Sequence, residues 1–258
     1  MSADLWGALH RELDLWSHDG RVVRLWLRDD DAVAPSAALD RLVGVAERFA
    51  APVLLAVIPF LARPELAGVL ARAPLLVPCQ HGAWHANHAP AGEKKAEFGR
   101  HRPAEVLSDE LRLARERLGE LLADEPPSVF VPPWNRIDPG FAPLLADLGF
   151  SGLSCFRGFD PAPALGPAVV NSDVDVMNWR GGRVGRDHAG LVAETVALLA
   201  ARRRLAQGGD TTLGLLLHHR DHDEIAWSFV VDLLAELAGH DAVRLADPRG
   251  LFDDRGSK

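Results

Sequence analysis

The chain is poor in cysteine: two occur in 258 residues, Cys79 and Cys155, and neither belongs to a CxxC pair or a longer ligand series. A disulfide framework is thereby excluded. Cys79, beside Gln80 and His81, reads as a small buried residue at a strand end rather than as a nucleophile or ligand. No apolar run is long enough to span a bilayer, and the first residues, Met1-Ser2-Ala3-Asp4-Leu5-Trp6, have neither a basic n-region nor an apolar h-region. The expectation is a cytoplasmic protein with no membrane partner, which would not ordinarily meet an assembled cell wall. Basic charge is also in deficit. With 28 Lys and Arg against 36 Asp and Glu the net charge is -8, which argues against a nucleic-acid partner, since phosphates need a basic face to neutralise them. The one dense basic run, Arg202-Arg203-Arg204, is expected at the solvated C-terminal end of a helix, where it suits the macrodipole. No GxGxxG or GxxxxGK[ST] opens a helix, so nothing marks a phosphate cradle. Gly181-Gly182-Arg183-Val184-Gly185 reads as a loop or hairpin turn.

What is present is an ordinary globular composition, 48% hydrophobic and 25% charged, expected to form a single domain over residues 1–258. Apolar runs of strand length alternate with stretches of helical period, the pattern of βα units around a largely parallel sheet. Strands are expected at Val22–Leu27, Val53–Ile58, Leu75–Val77, Val129–Val131, Gly152–Cys155, Ala168–Val170, Leu213–Leu217 and Val243–Leu245. Helices are expected over Ser36–Ala50, with Leu39, Leu42, Val43, Ala46 and Phe49 on one face, and over Pro103–Ala123, Leu191–Leu205 and Ile225–Leu237. A short helix is capped by Asp138-Pro139 and ends at Gly149. About eight strands with helices between most of them favour an α/β barrel over a doubly wound open sheet.

Polar side chains recur where the apolar runs stop: Arg28-Asp29-Asp30-Asp31 after Leu25-Trp26-Leu27, Gln80-His81-Gly82-Ala83-Trp84-His85 after Leu75-Leu76-Val77, and His218-His219 after Leu215-Leu216-Leu217. Strand ends are where α/β enzymes place their chemistry. Read as one helical turn, the i,i+4 pair His81 and His85 points both imidazoles the same way, so that they share one metal ion, with His88 at hand as a substitute or supporting donor. Two imidazoles want a carboxylate as well, and Asp29-Asp30-Asp31 supplies it, since three adjacent carboxylates repel one another and need a cation. Side chains alternate in an extended segment, so neighbouring aspartates can take different jobs, one on the metal and one beside it as a base.

These residues resemble the polysaccharide deacetylases of the NodB-homology type, carbohydrate esterase family 4. The aspartate pair ending the first strand is matched by Asp30-Asp31, with Asp29-Asp30 as the other register, and the histidine pair by His81 and His85. The Pro-Pro segment after a strand is matched by Phe130-Val131-Pro132-Pro133-Trp134-Asn135 and the aspartate upstream of a tryptophan, loosely, by Asp173-Val174-Asp175-Val176-Met177-Asn178-Trp179. Leu217-His218 matches the leucine-histidine strand end, and the five motifs stand in family order from Asp29 to His219. The resemblance implies a distorted (β/α) barrel of about seven to eight strands. It also implies a divalent metal, best taken as Zn2+ although cobalt, nickel or manganese suit the same ligands, held by Asp31, His81 and His85. It makes Asp30 the general base, or Asp29 in the other register, and His218, with His219 as its neighbour, the acid that protonates the departing amine. The backbone N–H of Trp134 joins in stabilising the oxyanion.

Three departures mark a divergent branch. Val131 stands where the family has the arginine that steadies the base, leaving Arg136 or Arg28 to serve; Ala32 replaces a glycine after the aspartates; and the histidine motif reads His-Gly. Gly92 to Gly99 is either a loop that closes over the site or a solvated charged loop, and Trp84, Trp134, Trp179 and Phe98 offer stacking faces for a sugar or serve as packing. The expected activity is hydrolysis of an N-acyl group, acetyl above all, from a carbohydrate or a similar small amide. A non-catalytic carbohydrate-binding relic of the same fold is the alternative, as is a metal-dependent hydrolase of non-sugar amides or phosphoesters, for which Arg28, Arg136 and Arg220 are the basic candidates.

Overall fold

The computed structural model describes residues 5–122, 128–161, 166–205 and 210–252. Its strands are β1 (Val23–Ala32), β2 (Val53–Val57), β3 (Leu76–His81), β4 (Val129–Val131), β5 (Gly152–Leu153), β6 (Ala168–Val169), β7 (Val174–Asp175), β8 (Met177–Asn178), β9 (Val184–Gly185), β10 (Thr211–Leu217) and β11 (Val243–Leu245). The helices are α1 (Gly7–His18), α2 (Ala37–Phe49), α3 (Glu65–Leu70), α4 (Ala104–Leu122), α5 (Ala142–Asp147), α6 (His188–Leu205), α7 (Glu224–Leu237) and α8 (Pro248–Leu251). None of them is long and apolar enough to cross a membrane. The expected helix end at Ala123 lies outside the described residues.

Local chemistry sets the helix boundaries. The Ser36 hydroxyl accepts the Leu39 N–H at 3.1 Å to start α2, which ends at Ala50 in the left-handed region (φ 48°) and buries Leu39, Leu42, Val45 and Ala46. Asp223 caps α7 in the same way through the N–H of Ala226 at 2.9 Å. The arginine run at the end of α6 is not simply solvated. Arg202 pairs with buried Asp173, and Arg203 pairs with Glu12 of α1 at 2.7 Å, so the run clamps α6 to its neighbours.

The main sheet runs in the order β6-β5-β4-β3-β2-β1-β10-β7, with every neighbouring pair parallel and β11 beside the first half of β1. The sheet curls, and its two ends are one piece of chain. Val170 and Ser172 donate to the carbonyls of Leu153 and Cys155 on the β5 side, whereas Asp173 and Val176 donate to those of Gly214 and Leu216 on β10. The segment from β6 to β7 thus bridges both edges, giving the distorted (β/α) barrel expected from the sequence. The glycine-rich stretch after it turns the β8–β9 hairpin, which projects Trp179, Arg180 and Arg183 over one end of the barrel.

Period-two alternation divides the strand residues into two layers. Leu25, Leu27, Val53, Leu55, Val57 and Leu215 pack outward under the helices, while Trp26, Leu54, Ala56, Val77, Cys79, Val129 and Val131 fill the barrel with Leu251 and Phe252, which close the end where the strands begin. On β1 the inward series Trp26, Arg28, Asp30 climbs from this apolar plug to the open end. Gly214 on β10 fits here because it has no side chain: a Cβ would lie 2.8 Å from both the Trp26 ring and the Ser172 backbone. Gly214→Val should therefore cost about 1–3 kcal/mol, as overpacking does. Urea unfolding measures it, and an unchanged midpoint would show that the closing segment is not packed as described.

Candidate metal centre and catalytic cleft

A cleft of about 1010 Å³ opens where the barrel strands end, and Asp30, Asp31, His81, His85, Trp134, Asp175, Trp179 and His218 all line it. The three aspartates reach different places because β1 is irregular. Asp29 pairs with Leu55 of β2, yet Ala32 pairs with Val57, so β1 accommodates one extra residue there. Asp31 takes up that residue in a left-handed conformation (φ 73°), unusual for a residue with a Cβ and typical of functional sites. Simple alternation would put Asp30 and Asp31 on opposite sides; the bulge turns both into the cleft. Asp29 is turned away and buried, with Oδ2 accepting the N–H of His219 at 2.8 Å and Oδ1 lying 2.5 Å from its Nδ1. Geometry thus favours the Asp30-Asp31 register.

The two histidines converge without a helix, which corrects the expectation of one helical turn. His81 is the last residue of β3 and His85 stands in the following turn at φ 56°, with Gly82 at φ 58° between them. Nδ1 of His81 donates to the carbonyl of Val131 at 2.9 Å, and because a carbonyl only accepts, this leaves the Nε2 lone pair facing the cleft. Nε2 of His81 and Nε2 of His85 each lie 3.2 Å from Oδ1 of Asp31. The three donor atoms fall within 4.8 Å of one another, and donors around a tetrahedral zinc at roughly 2.1 Å are themselves roughly 3.4 Å apart, so the set fits such an ion. Burial works against charge on Asp31, but the hydrogen bond and charge of His81, with His85 and His218, outweigh it and hold the carboxyl well below its usual range. Burial lowers His85, keeping its imidazole neutral as a ligand must be. His88 is exposed and hydrogen-bonded through its backbone to Ala96, outside this set.

The guanidinium on Asp30 belongs to Arg28, two residues earlier on the same face of β1. Its Nε lies 2.9 Å from Oδ1 as an ion pair, and its Nη2 donates to Oδ2 at 3.1 Å. The same fully buried side chain donates to Ser154 Oγ at 2.8 Å, to the carbonyl of Cys155 at 2.9 Å and to Asn135 Oδ1. Arg136 instead donates to the carbonyl of Lys95 at 3.0 Å, and Arg220 to that of Asp31 at 3.1 Å. His218 stands with Nε2 4.0 Å from Asp30 Oδ2, its ring against the edge of Trp179 at 4.5 Å between centroids. Trp179 in turn donates to Asp175 Oδ2 at 2.7 Å. Of the two aspartates in the loosely matched fourth motif, Asp173 is structural and Asp175 faces the cleft. Burial raises Asp175, against the opposing pull of His218. Both cysteines are buried, and burial pushes the Cys155 thiol up to about 12 and that of Cys79 well above the usual range, so neither is a nucleophile.

The loop from Gly92 to Gly99 is neither a simple lid nor a simple solvated turn. Lys94 and Lys95 line the cleft, but Glu97 and Phe98 are 0% exposed, and Phe98 packs edge-on against Phe130 at 5.2 Å rather than offering a stacking face. Trp84 is also outside the cleft, stacked on Phe60 at 4.4 Å, whereas Trp134 packs on His85 at 4.4 Å. Glu97 is the site residue that sequence reading missed. Its carboxylate accepts the N–H groups of Ala83 at 3.2 Å, Trp84 at 2.9 Å and Ala86 at 3.3 Å, so it pins the turn that carries His85. Burial raises its pKa despite these amides. A Cβ on Gly82 would come 2.2 Å from Glu97 Oε2 and 2.6 Å from Pro133, which accounts for His-Gly in this chain: the carboxylate occupies the space a side chain would need.

Comparison with known proteins places this geometry in a fold. No family model and no curated protein sequence matches the chain. Among solved structures, a Mycobacterium smegmatis protein named "putative polysaccharide deacetylase" is 20% identical with a TM-score of 0.64, covering 88% of this chain and 88% of that one. A family 4 carbohydrate esterase from Streptomyces lividans, in complex with acetate, is 14% identical with a TM-score of 0.54, over 85% of this chain and 90% of its own. Puue allantoinase is 12% identical with a TM-score of 0.65, over 88% and 87%. The chain therefore has the NodB-like barrel fold of the polysaccharide deacetylases, carried on a strongly divergent sequence.

Removing the Glu97 carboxylate strands three backbone donors at once. Glu97→Ala should lower stability by about 1–3 kcal/mol. Denaturant unfolding tests this, and a wild-type midpoint would show that the turn does not depend on the carboxylate.

Proposed function

We propose that this protein is a divalent-metal-dependent amide hydrolase that removes an N-acyl group, acetyl above all, from a sugar or a similar small amide. One observation carries the reading: Asp31, His81 and His85 offer three donors within 4.8 Å of one another, while Asp30 and His218 face each other at 4.0 Å in the same cleft. An ion held by those three residues, best taken as Zn2+, supplies Lewis acidity toward the acyl carbonyl and lowers the pKa of a water.

The remaining steps belong to the chain's own groups. Arg28 fixes the Asp30 carboxylate by two contacts, so that Asp30 accepts the proton of the attacking water without having to reorient. His218, held against Trp179, donates its Nε2 proton to the departing amine nitrogen. The N–H of Trp134, at the strained turn after Pro132-Pro133 (φ 55°), is the group we assign to the developing oxyanion. Asp29 acts through His219, fixing the chain next to His218, and is a positioning residue. A second reading, hydrolysis of a small non-sugar amide, draws support from the likeness to Puue allantoinase. A binding relic is less well supported, because no acid, base or ligand position has been lost.

Elemental analysis of the purified protein should find one divalent ion per chain, and His81→Ala should lose it; stoichiometric metal in that variant would overturn the ligand set. Asp30→Asn should keep the metal while acetate release from N-acetylated sugars falls by about 10²–10⁴-fold. Loss of metal with the asparagine would instead make Asp30 a ligand.

A further inference from the structure

Resting on that reading, we propose that the substrate carries an anionic group, a carboxylate or a phosphate, set a short distance from the amide that is cleaved. The chain has a net charge of -8, yet six basic side chains line this one cleft: Lys94, Lys95, Arg136, Arg157, Arg180 and Arg183. They are not there to neutralise the acids on its floor. Asp30 has Arg28, Asp31 has the two histidines, and Asp175 has Trp179 and the N–H of Met177. Nor are they all matched elsewhere. Arg157 pairs with Glu194 and Arg183 with Asp221, but among the described residues Lys94, Lys95, Arg136 and Arg180 make no ion pair. Arg136 is the most telling, being half-buried with its guanidinium on a neutral carbonyl; burial lowers its pKa and no carboxylate offsets the effect. A partly desolvated guanidinium without an anion is unfavourable unless a ligand supplies one.

The basic groups come from four separate pieces of chain: the loop after the histidines, the turn after β4, the segment after β5 and the β8–β9 hairpin. Aromatic rings stand among them. Lys95 Nζ lies 5.7 Å from the Trp134 ring centre and Arg183 Cζ lies 5.6 Å from that of Trp179. Both indoles and these cations line the same cleft as Asp31, His81 and His85, so an anionic substituent and the acyl group of one small ligand can be met there together. Cations concentrated at the mouth would also draw an anionic ligand in from solution, an effect that salt screens over about 10 Å at 0.1 M.

The test compares N-acetylglucosamine, its 6-phosphate and its uronic acid as substrates of the metal-loaded protein, with both acetate and inorganic phosphate measured. Expected is a kcat/KM at least tenfold higher for one or both charged sugars than for the neutral one at low ionic strength, with the ratio shrinking as salt is added. Which of the two is preferred separates phosphate from carboxylate. The double variant Lys95→Gln/Arg180→Gln should lower the charged-to-neutral ratio about tenfold. Equal use of all three sugars would overturn the inference while leaving the deacetylase reading intact. Release of phosphate rather than acetate would put the anion at the reacting centre and overturn it as well. If no sugar releases acetate, the deacetylase reading fails and binding decides. Equilibrium dialysis showing at least tenfold tighter binding of a charged sugar, weakened in the double variant, supports the anion site, and equal binding overturns it.

Discussion

A guanidinium buried in the barrel holds this site together. Arg28 has no access to solvent, so its charge has to be met by protein, and the groups that take its Nη hydrogen bonds and its ion pair come from far apart in the chain: Asp30 on its own strand, Asn135 after β4, Ser154 and Cys155 after β5. A buried cation that lost its carboxylate would be less stable, so the Arg28–Asp30 pair serves the fold as well as the cleft. Position 131, on the fourth strand, is a valine in this chain; the guanidinium on Asp30 comes from the first strand instead, two residues away, because alternation puts positions 28 and 30 on one face.

The second constraint is backbone conformation at the strand ends. Asp31, His85, Trp134 and Asn135 all have positive φ without being glycine, and all four line the cleft, Asn135 also holding Arg28. Such conformations cost on the order of 1–3 kcal/mol each and persist only where the surroundings over-determine them. Here the surroundings are visible: the bulge against β2 for Asp31, the Glu97 carboxylate for the turn bearing His85, and the Pro132-Pro133 pair for Trp134. Strain therefore collects where side chains must be aimed at a point, while the apolar barrel below remains regular.

Much of this was legible in the chain. Apolar runs located β2, β4, β10 and β11 to within a few residues and the start of β1, and the cap at Ser36 marked a true helix start, whereas Asp138 caps only a short 3₁₀ turn, Pro139–Phe141, with α5 beginning at Ala142. β1 and β3 run further than hydrophobicity suggested, since their last residues are the aspartates and His81, whose polarity disguises them as loop. α1 was unanticipated, although Leu9, Leu13 and Trp16 lie at helical spacing and are buried. The segment that closes the barrel was only half seen, because two-residue pairings carry no periodicity. Glu97 could not be told from the charged residues around it: a glutamate in a Lys- and Gly-rich loop looks solvated until the turn it serves is in place.

By itself the sequence determined the βα alternation, the inventory of acid, imidazole and indole groups, and their order along the chain, because these depend on local pattern and side-chain chemistry. Tertiary structure alone decided which aspartate meets the histidines, which arginine meets Asp30, and that lysines and arginines from four distant segments share one cleft. Those outcomes depend on a one-residue bulge, a few left-handed residues and contacts across more than a hundred positions. Short-range sequence pattern carries no information about such separations, and packing fixes them.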